Sequence, residues 1–135
     1  MLQVRDLAIK LSDAKWEGRS FDCLPMPGEN GVLQVTLSDQ EEIPIYITAT
    51  DTQLLCISYL FRTDELKSET VNEFNELCLQ LNVSIPLSAF AKVGEQYVLF
   101  GALSLQSSFD DIMQEIVTLG ENSAEALEAA EPYLA

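Results

Sequence analysis

The run Gln53–Phe61, QLLCISYLF, limits what this chain can fold into more than any other stretch. Read as a strand, it places Leu55, Ile57, Tyr59 and Phe61 on one face and Leu54, Cys56, Ser58 and Leu60 on the other. A half-buried strand alternates apolar with polar residues, whereas one that is apolar on both sides belongs in a sheet interior with both faces covered. Tyr97–Ser104, YVLFGALS, has the same character, and its Gly101 marks a bend or a close backbone approach. These two strands predict a sheet whose second face is covered either by terminal helices or by another chain.

The flanking segments supply the rest of the sheet. Phe21–Met26 reads as a short strand, held to an edge or a strand end by Pro25. Pro27–Gly31 is a turn, and Val32–Leu37 and Ile43–Ala49 alternate as half-buried strands. Ile85–Val93 forms a hairpin with Tyr97–Ser104 around Gly94-Glu95. Helical spacing appears in three places. Leu2–Trp16 carries the stripe Val4, Leu7, Ala8 and Leu11, ends at Gly18, and leaves Trp16 to pack across the end of the sheet. Asp64–Asn82 carries Leu66, Val71, Phe74, Leu77, Cys78 and Leu81, with Thr63 or Asp64 as N-cap. Phe109–Leu119 is capped by Ser107 or Ser108 and ends at Gly120, after which Asn122 and Glu125 form a capping box for a segment that Pro132 closes.

The order α-β-β-β-(β)-α-β-β-α predicts an α+β two-layer sandwich, an antiparallel sheet of five to six strands with helices. The 135 residues suit a single domain, 1–135, with an acidic C-terminal helical segment at 109–131.

Charge narrows the partners. Twenty-two acidic residues against seven basic give a net charge of −15, and no cationic side chain follows Lys92. Nucleic acid and anionic membrane both require clustered Lys and Arg, so neither is expected as a partner. No apolar run is long and regular enough for direct membrane insertion. Cys23, Cys56 and Cys78 are odd in number and widely spaced, which reads as reduced, buried thiols in a cytoplasmic protein.

Catalytic chemistry finds little to stand on. The chain has no His, which removes the commonest general base and metal ligand. No phosphate-cradling Gly-rich motif is present. Ser104, Ser107 and Ser108 read as strand-end and capping residues. Asp110-Asp111 sits where a helix dipole accounts for it, Glu41-Glu42 and Asp64-Glu65 lie at element ends, and Glu121, Glu125, Glu128 and Glu131 are spaced to form a helix face or a solvated fringe. No cofactor, metal or catalytic residue is assigned, and the protein is read as a non-enzyme.

The stretch FNELCLQLNVSIPLSAFAKVGEQYVLFGALS, Phe74–Ser104, followed by the acidic Phe109–Leu119 helix, resembles the YjfI-like family of small acidic bacterial proteins of unknown function. The blocks Ile85–Phe90 and Tyr97–Ser104 carry the resemblance most specifically. The element order also resembles the type III secretion chaperone-like fold shared with YbjN-like proteins. That resemblance implies a curved antiparallel sheet with helices on one face, frequent homodimers, and recognition of protein segments on apolar patches. The family context further implies a PspA-like membrane-stress protein as a partner.

The reading that follows is a protein-binding adaptor or chaperone-like module acting through apolar sheet and helix surfaces. Leu54, Cys56, Val98 and Phe100 are the expected partner-binding residues on the second sheet face. A small-molecule-sensing regulatory domain is the alternative, and a carboxylate-based enzyme ranks last.

Overall fold

The computed structural model describes residues 4–26 and 31–135. In chain order its elements are α1 (Val4–Ser12), β1 (Lys15–Trp16), β2 (Arg19–Met26), β3 (Val32–Leu37), β4 (Ile45–Ala49), β5 (Leu54–Arg62), α2 (Val71–Leu81), β6 (Ala89–Val93), β7 (Gln96–Leu103) and α3 (Phe109–Ala130). The seven strands form one antiparallel sheet in the order β1-β2-β3-β4-β5-β7-β6. The class is the expected α+β, with one strand more than expected. Both doubly apolar runs become the interior strands β5 and β7, which pair from Leu54↔Leu103 to Arg62↔Gln96.

Several boundaries differ from expectation, each for a local reason. The first helix stops at Ser12 instead of Trp16, because Lys15-Trp16 turns back onto Arg19-Ser20 as the extra strand. The turn between them holds Glu17 at φ 49° and Gly18 at φ 84°, the pair of left-handed residues that a tight primed hairpin turn requires. Gly18 therefore serves the hairpin and not a helix end. The helix expected from Asp64 starts only at Val71. Upstream of it, Leu66 is pulled into a bridge with Leu134, Lys67 N–H donates to the Tyr133 carbonyl at 2.8 Å, and Ala135 N–H donates to Glu65 at 2.8 Å. These bonds hold 63–70 as two short 3₁₀ turns in which neither Thr63 nor Asp64 caps a helix.

The C-terminal helix runs without interruption through Gly120 to Ala130. Gly120 is a contact and not a terminator: a Cβ there would lie 2.5 Å from Gln40 Oε1 and 2.7 Å from Leu37 Cδ1. Ser108 caps the helix as expected, accepting from Asp111 N–H at 3.1 Å. Asn122 is mid-helix instead of opening a separate segment, and its amide donates to the Pro86 carbonyl and Ser88 Oγ. The acidic end is docked, with Tyr133 packed on Phe74 at 5.4 Å between centroids. Strand β6 begins at Ala89, four residues later than expected, since Pro86 and Leu87 (φ 64°) break the extended path. The expected turn at 27–31 lies outside the described residues apart from Gly31.

The core lies between one sheet face and the helices. Leu33, Val35, Leu37, Ile45, Ile47, Leu54, Cys56 and Leu99 point into it and are essentially inaccessible. Leu7 and Leu11 of α1, together with Ile112, Ile116 and Leu119 of α3, cover them. A bulge between Tyr59 and Phe61 turns Phe61 onto the same side, where it packs with Tyr97 and with Phe74 of α2. All three helices thus back a single face.

Candidate functional site

The opposite face of the sheet has no helix over it among the described residues. Its cross-strand rows follow from the register. One row is Met26, Val32, Thr48, Leu55 and Ala102; the next is Leu24, Gln34, Tyr46, Ile57, Phe100 and Ala89; a third joins Tyr59, Val98 and Ala91. Tyr59, on the interior strand β5, is 44% exposed, and Leu24, on β2 beyond the reach of the short β1, is 56% exposed. Tyr46 and Tyr59 meet edge-on at 5.7 Å, which partly shields each ring.

Charge is nearly absent from this surface. Across β2 to β7 its paired residues include a single carboxylate, Asp22, at the β2 side, although the chain holds 22 acids. Arg62 closes the far end and is paired with Asp64 at 3.4 Å. The result is a largely apolar face, interrupted by Gln34, Thr36 and Thr48 but with little charge, of the kind that marks interaction sites.

The expected partner-binding residues divide between the two faces. Val98 and Phe100 lie on the open one, Val98 tucked between neighbours at 1% exposure and Phe100 half-buried. Leu54 and Cys56 do not join them: both are fully buried under the helices, because Cys56 pairs with Gly101 and Ile57 with Phe100. The residues of β5 that share a surface with Phe100 are Leu55, Ile57 and Tyr59. Alternation identified both sets in the sequence, but cross-strand register decides which set accompanies Phe100.

The covered face holds one ionisable group of note. Glu115 of α3 is 3% exposed, its Oε2 has no hydrogen-bond partner, and burial holds its carboxyl above the usual carboxylate range. Its side chain lies over Gly101, where a Cβ would collide with it and would also lie 3.0 Å from the Leu87 carbonyl oxygen. Gly101 is thus a site of close approach, one of its two expected roles. Cys56 sits beside the same carboxylate, and burial first, then that negative charge, pushes its thiol up to about 12. Burial likewise pushes the Cys78 thiol up to about 11. A thiol at these values is a packing group at neutral pH and not a nucleophile. Among the described residues no group of three His, Cys, Asp or Glu side chains could hold a metal ion, and no helix is long and apolar enough to cross a membrane.

An antiparallel sheet backed on one side by helices, in this order, is a fold shared with a component of a type III secretion system. A chain from the heterodimeric complex ExoU-SpcU of the type III secretion system of Pseudomonas aeruginosa superposes with a TM-score of 0.53, covering 82% of this chain and 84% of that one at 15% identity. The chain belongs to the family described as an uncharacterized protein conserved in bacteria (DUF2170), whose model matches residues 1–134. It is 30% identical over 109 residues to "Uncharacterized protein YjfI" of Escherichia coli (strain K12), spanning 78% of this chain and 80% of that one. The YjfI of Escherichia coli O157:H7 matches to the same extent.

Proposed function

We propose that this protein works by association and not by bond-making. It is a non-catalytic adaptor or chaperone-like module of the bacterial cytoplasm, and its open sheet face docks against a second copy of the same chain. The observation that supports this reading is the near-absence of charge on that face in a molecule of net charge −15. Two such molecules repel wherever their acidic surfaces meet. The sheet face is a place where they can approach with one carboxylate each, Asp22 at the β2 side, so apolar burial there is little offset by like-charge repulsion.

Size is consistent with this. Six strands about 4.8 Å apart with rows spanning about 20 Å give roughly 500 Å² in projection. A standard interface uses about 800 Å² of accessible surface per partner, and a corrugated face exceeds its projected area. Beyond the self-contact, the module holds a protein client, for which a PspA-like membrane-stress protein is the candidate suggested by family resemblance.

Size-exclusion chromatography with light scattering tests the self-contact. The wild type is expected to run as a dimer at micromolar concentration, and Phe100→Asp as a monomer with an unchanged far-UV circular dichroism spectrum. A wild type that stays monomeric through tens of micromolar would refute it.

A further inference from the structure

A second surface lies on the helical layer, away from the open sheet face. Between the segment that links α2 to β6 and the C-terminal half of α3 runs a groove of about 340 Å³. Ile85, Phe90 and Ala126 give it an apolar lining, and Glu125 stands at its rim. The groove is a fixed feature, because the Asn122 amide bonds the Pro86 carbonyl at 2.8 Å and Ser88 Oγ at 3.1 Å and so ties its two walls together.

Two further observations bear on what it holds. The linking segment leaves Val83 91% and Leu87 55% exposed, and Leu87 sits at φ 64°, a left-handed conformation that a non-glycine residue rarely adopts. Apolar side chains are thus presented outward beside an apolar groove. The one charged residue that lines it is acidic: Glu125 is exposed on α3, Glu128 is exposed three residues further along the same helix, no Lys or Arg lines the groove, and none follows Lys92 in the chain.

We infer that this groove receives a segment of a partner protein carrying an aliphatic anchor flanked by Lys or Arg. The anchor fills the space over Ala126 and Ala129, and the flanking cations meet Glu125 and Glu128. Apolar burial supplies the affinity, and charge complementarity selects the partner and speeds encounter. This deepens the adaptor reading by giving the client a chemistry, and it places the client on a surface that the dimer contact leaves open.

The test uses the full chain and a fluorescein-labelled synthetic Leu/Lys amphipathic peptide, with a Leu/Glu peptide of the same pattern as control, read by fluorescence anisotropy. Wild type is expected to bind the Leu/Lys peptide and not the Leu/Glu peptide. Ala129→Trp, which fills the groove from an exposed position, should weaken binding by at least about tenfold, and Ala129→Ser should not. Glu125→Lys should weaken it by roughly threefold or more, with a smaller effect at high salt. Failure of the wild type to bind, or binding that neither Ala129→Trp nor Glu125→Lys alters, would overturn the inference, the second outcome marking attraction by net charge alone. Light scattering on the same samples keeps the questions apart, since groove variants should leave the dimer intact. A monomeric wild type would instead sink the self-contact while the groove result stands.

Discussion

The two faces of the sheet are built from the same kinds of residue and have opposite fates. Leu54, Cys56 and Leu99 point to one side and vanish beneath α1 and α3; Leu55, Ile57 and Phe100 point to the other and meet no helix among the described residues. Packing, the docked C-terminal end included, commits α1, α2 and α3 to one side. A strand that is apolar on both faces therefore signals two packing surfaces, and among the described residues the helices cover one of them. The proposed self-contact would use the other, and its few charged residues are what support that proposal.

Adjacent residues of β7 give the sharpest way to break the comparison. Leu99 is fully buried on the helix side, so Leu99→Asp places an unpaired charge in the core and should cost more than about 4 kcal/mol, enough to unfold a domain of ordinary stability. Phe100→Asp, one residue on and facing the other way, should leave the fold intact and abolish only the dimer. Chemical denaturation beside light scattering reads both. If Phe100→Asp unfolds the protein as Leu99→Asp does, the second face is ordinary core and the distinction fails.

A smaller effect is expected at Gly101, also on the helix side. A methyl group there meets the Glu115 carboxylate and the Leu87 carbonyl, so Gly101→Ala should destabilise by about 1–3 kcal/mol through overpacking. Glu115→Ala removes the first obstacle, and a double-mutant cycle should then show the Gly101→Ala cost falling by about 0.5 kcal/mol or more. Strict additivity would mean that Glu115 does not occupy the space above Gly101. Ala102→Ser, on the open face, should stay within about 0.5 kcal/mol of wild type.

Much of this architecture was legible because period-two and period-3.6 patterns report directly on backbone geometry. The interior placement of β5 and β7, the Ser108 cap and the helix on Phe74 and Cys78 all followed from spacing. What could not be read was relational. Gly120 has the letter of a terminator, but its role comes from Leu37 and Gln40, eighty or more residues earlier in the chain. Leu54 and Cys56 seemed equivalent to Leu55 and Ile57 until pairing with β7 fixed their side. Glu115 carries little sign of its burial in the sequence beyond its place one residue before the apolar pair Ile116-Val117. The groove beside Asn122 has no sequence signal at all, because its walls are joined by bonds spanning more than thirty residues.

Glu115 also supplies the most discriminating pH experiment, because its environment exists only on the covered face. The folded state holds this carboxyl above the usual range through burial, whereas the unfolded chain lets it ionise normally. Below the ordinary carboxylate pKa both states keep the proton and the group costs nothing. As pH rises through that value the unfolded chain releases its proton first, so Glu115 destabilises the fold increasingly until the folded-state pKa is passed, where the penalty is complete. Glu115→Gln preserves the shape and removes the charge. Its stability relative to wild type should therefore be near zero at about pH 4 and rise as pH increases, by about 1–3 kcal/mol or more, the scale of leaving a buried group unsatisfied. Urea denaturation across that range measures the difference, in which the titration of every other acid cancels. Asp22→Asn, the corresponding change on the exposed face, should shift stability by no more than about 0.5 kcal/mol. A gain for Glu115→Gln that is flat from pH 4 to 8 would show that the carboxylate reaches water in the folded state, and the covered face would then be less sealed than its packing indicates.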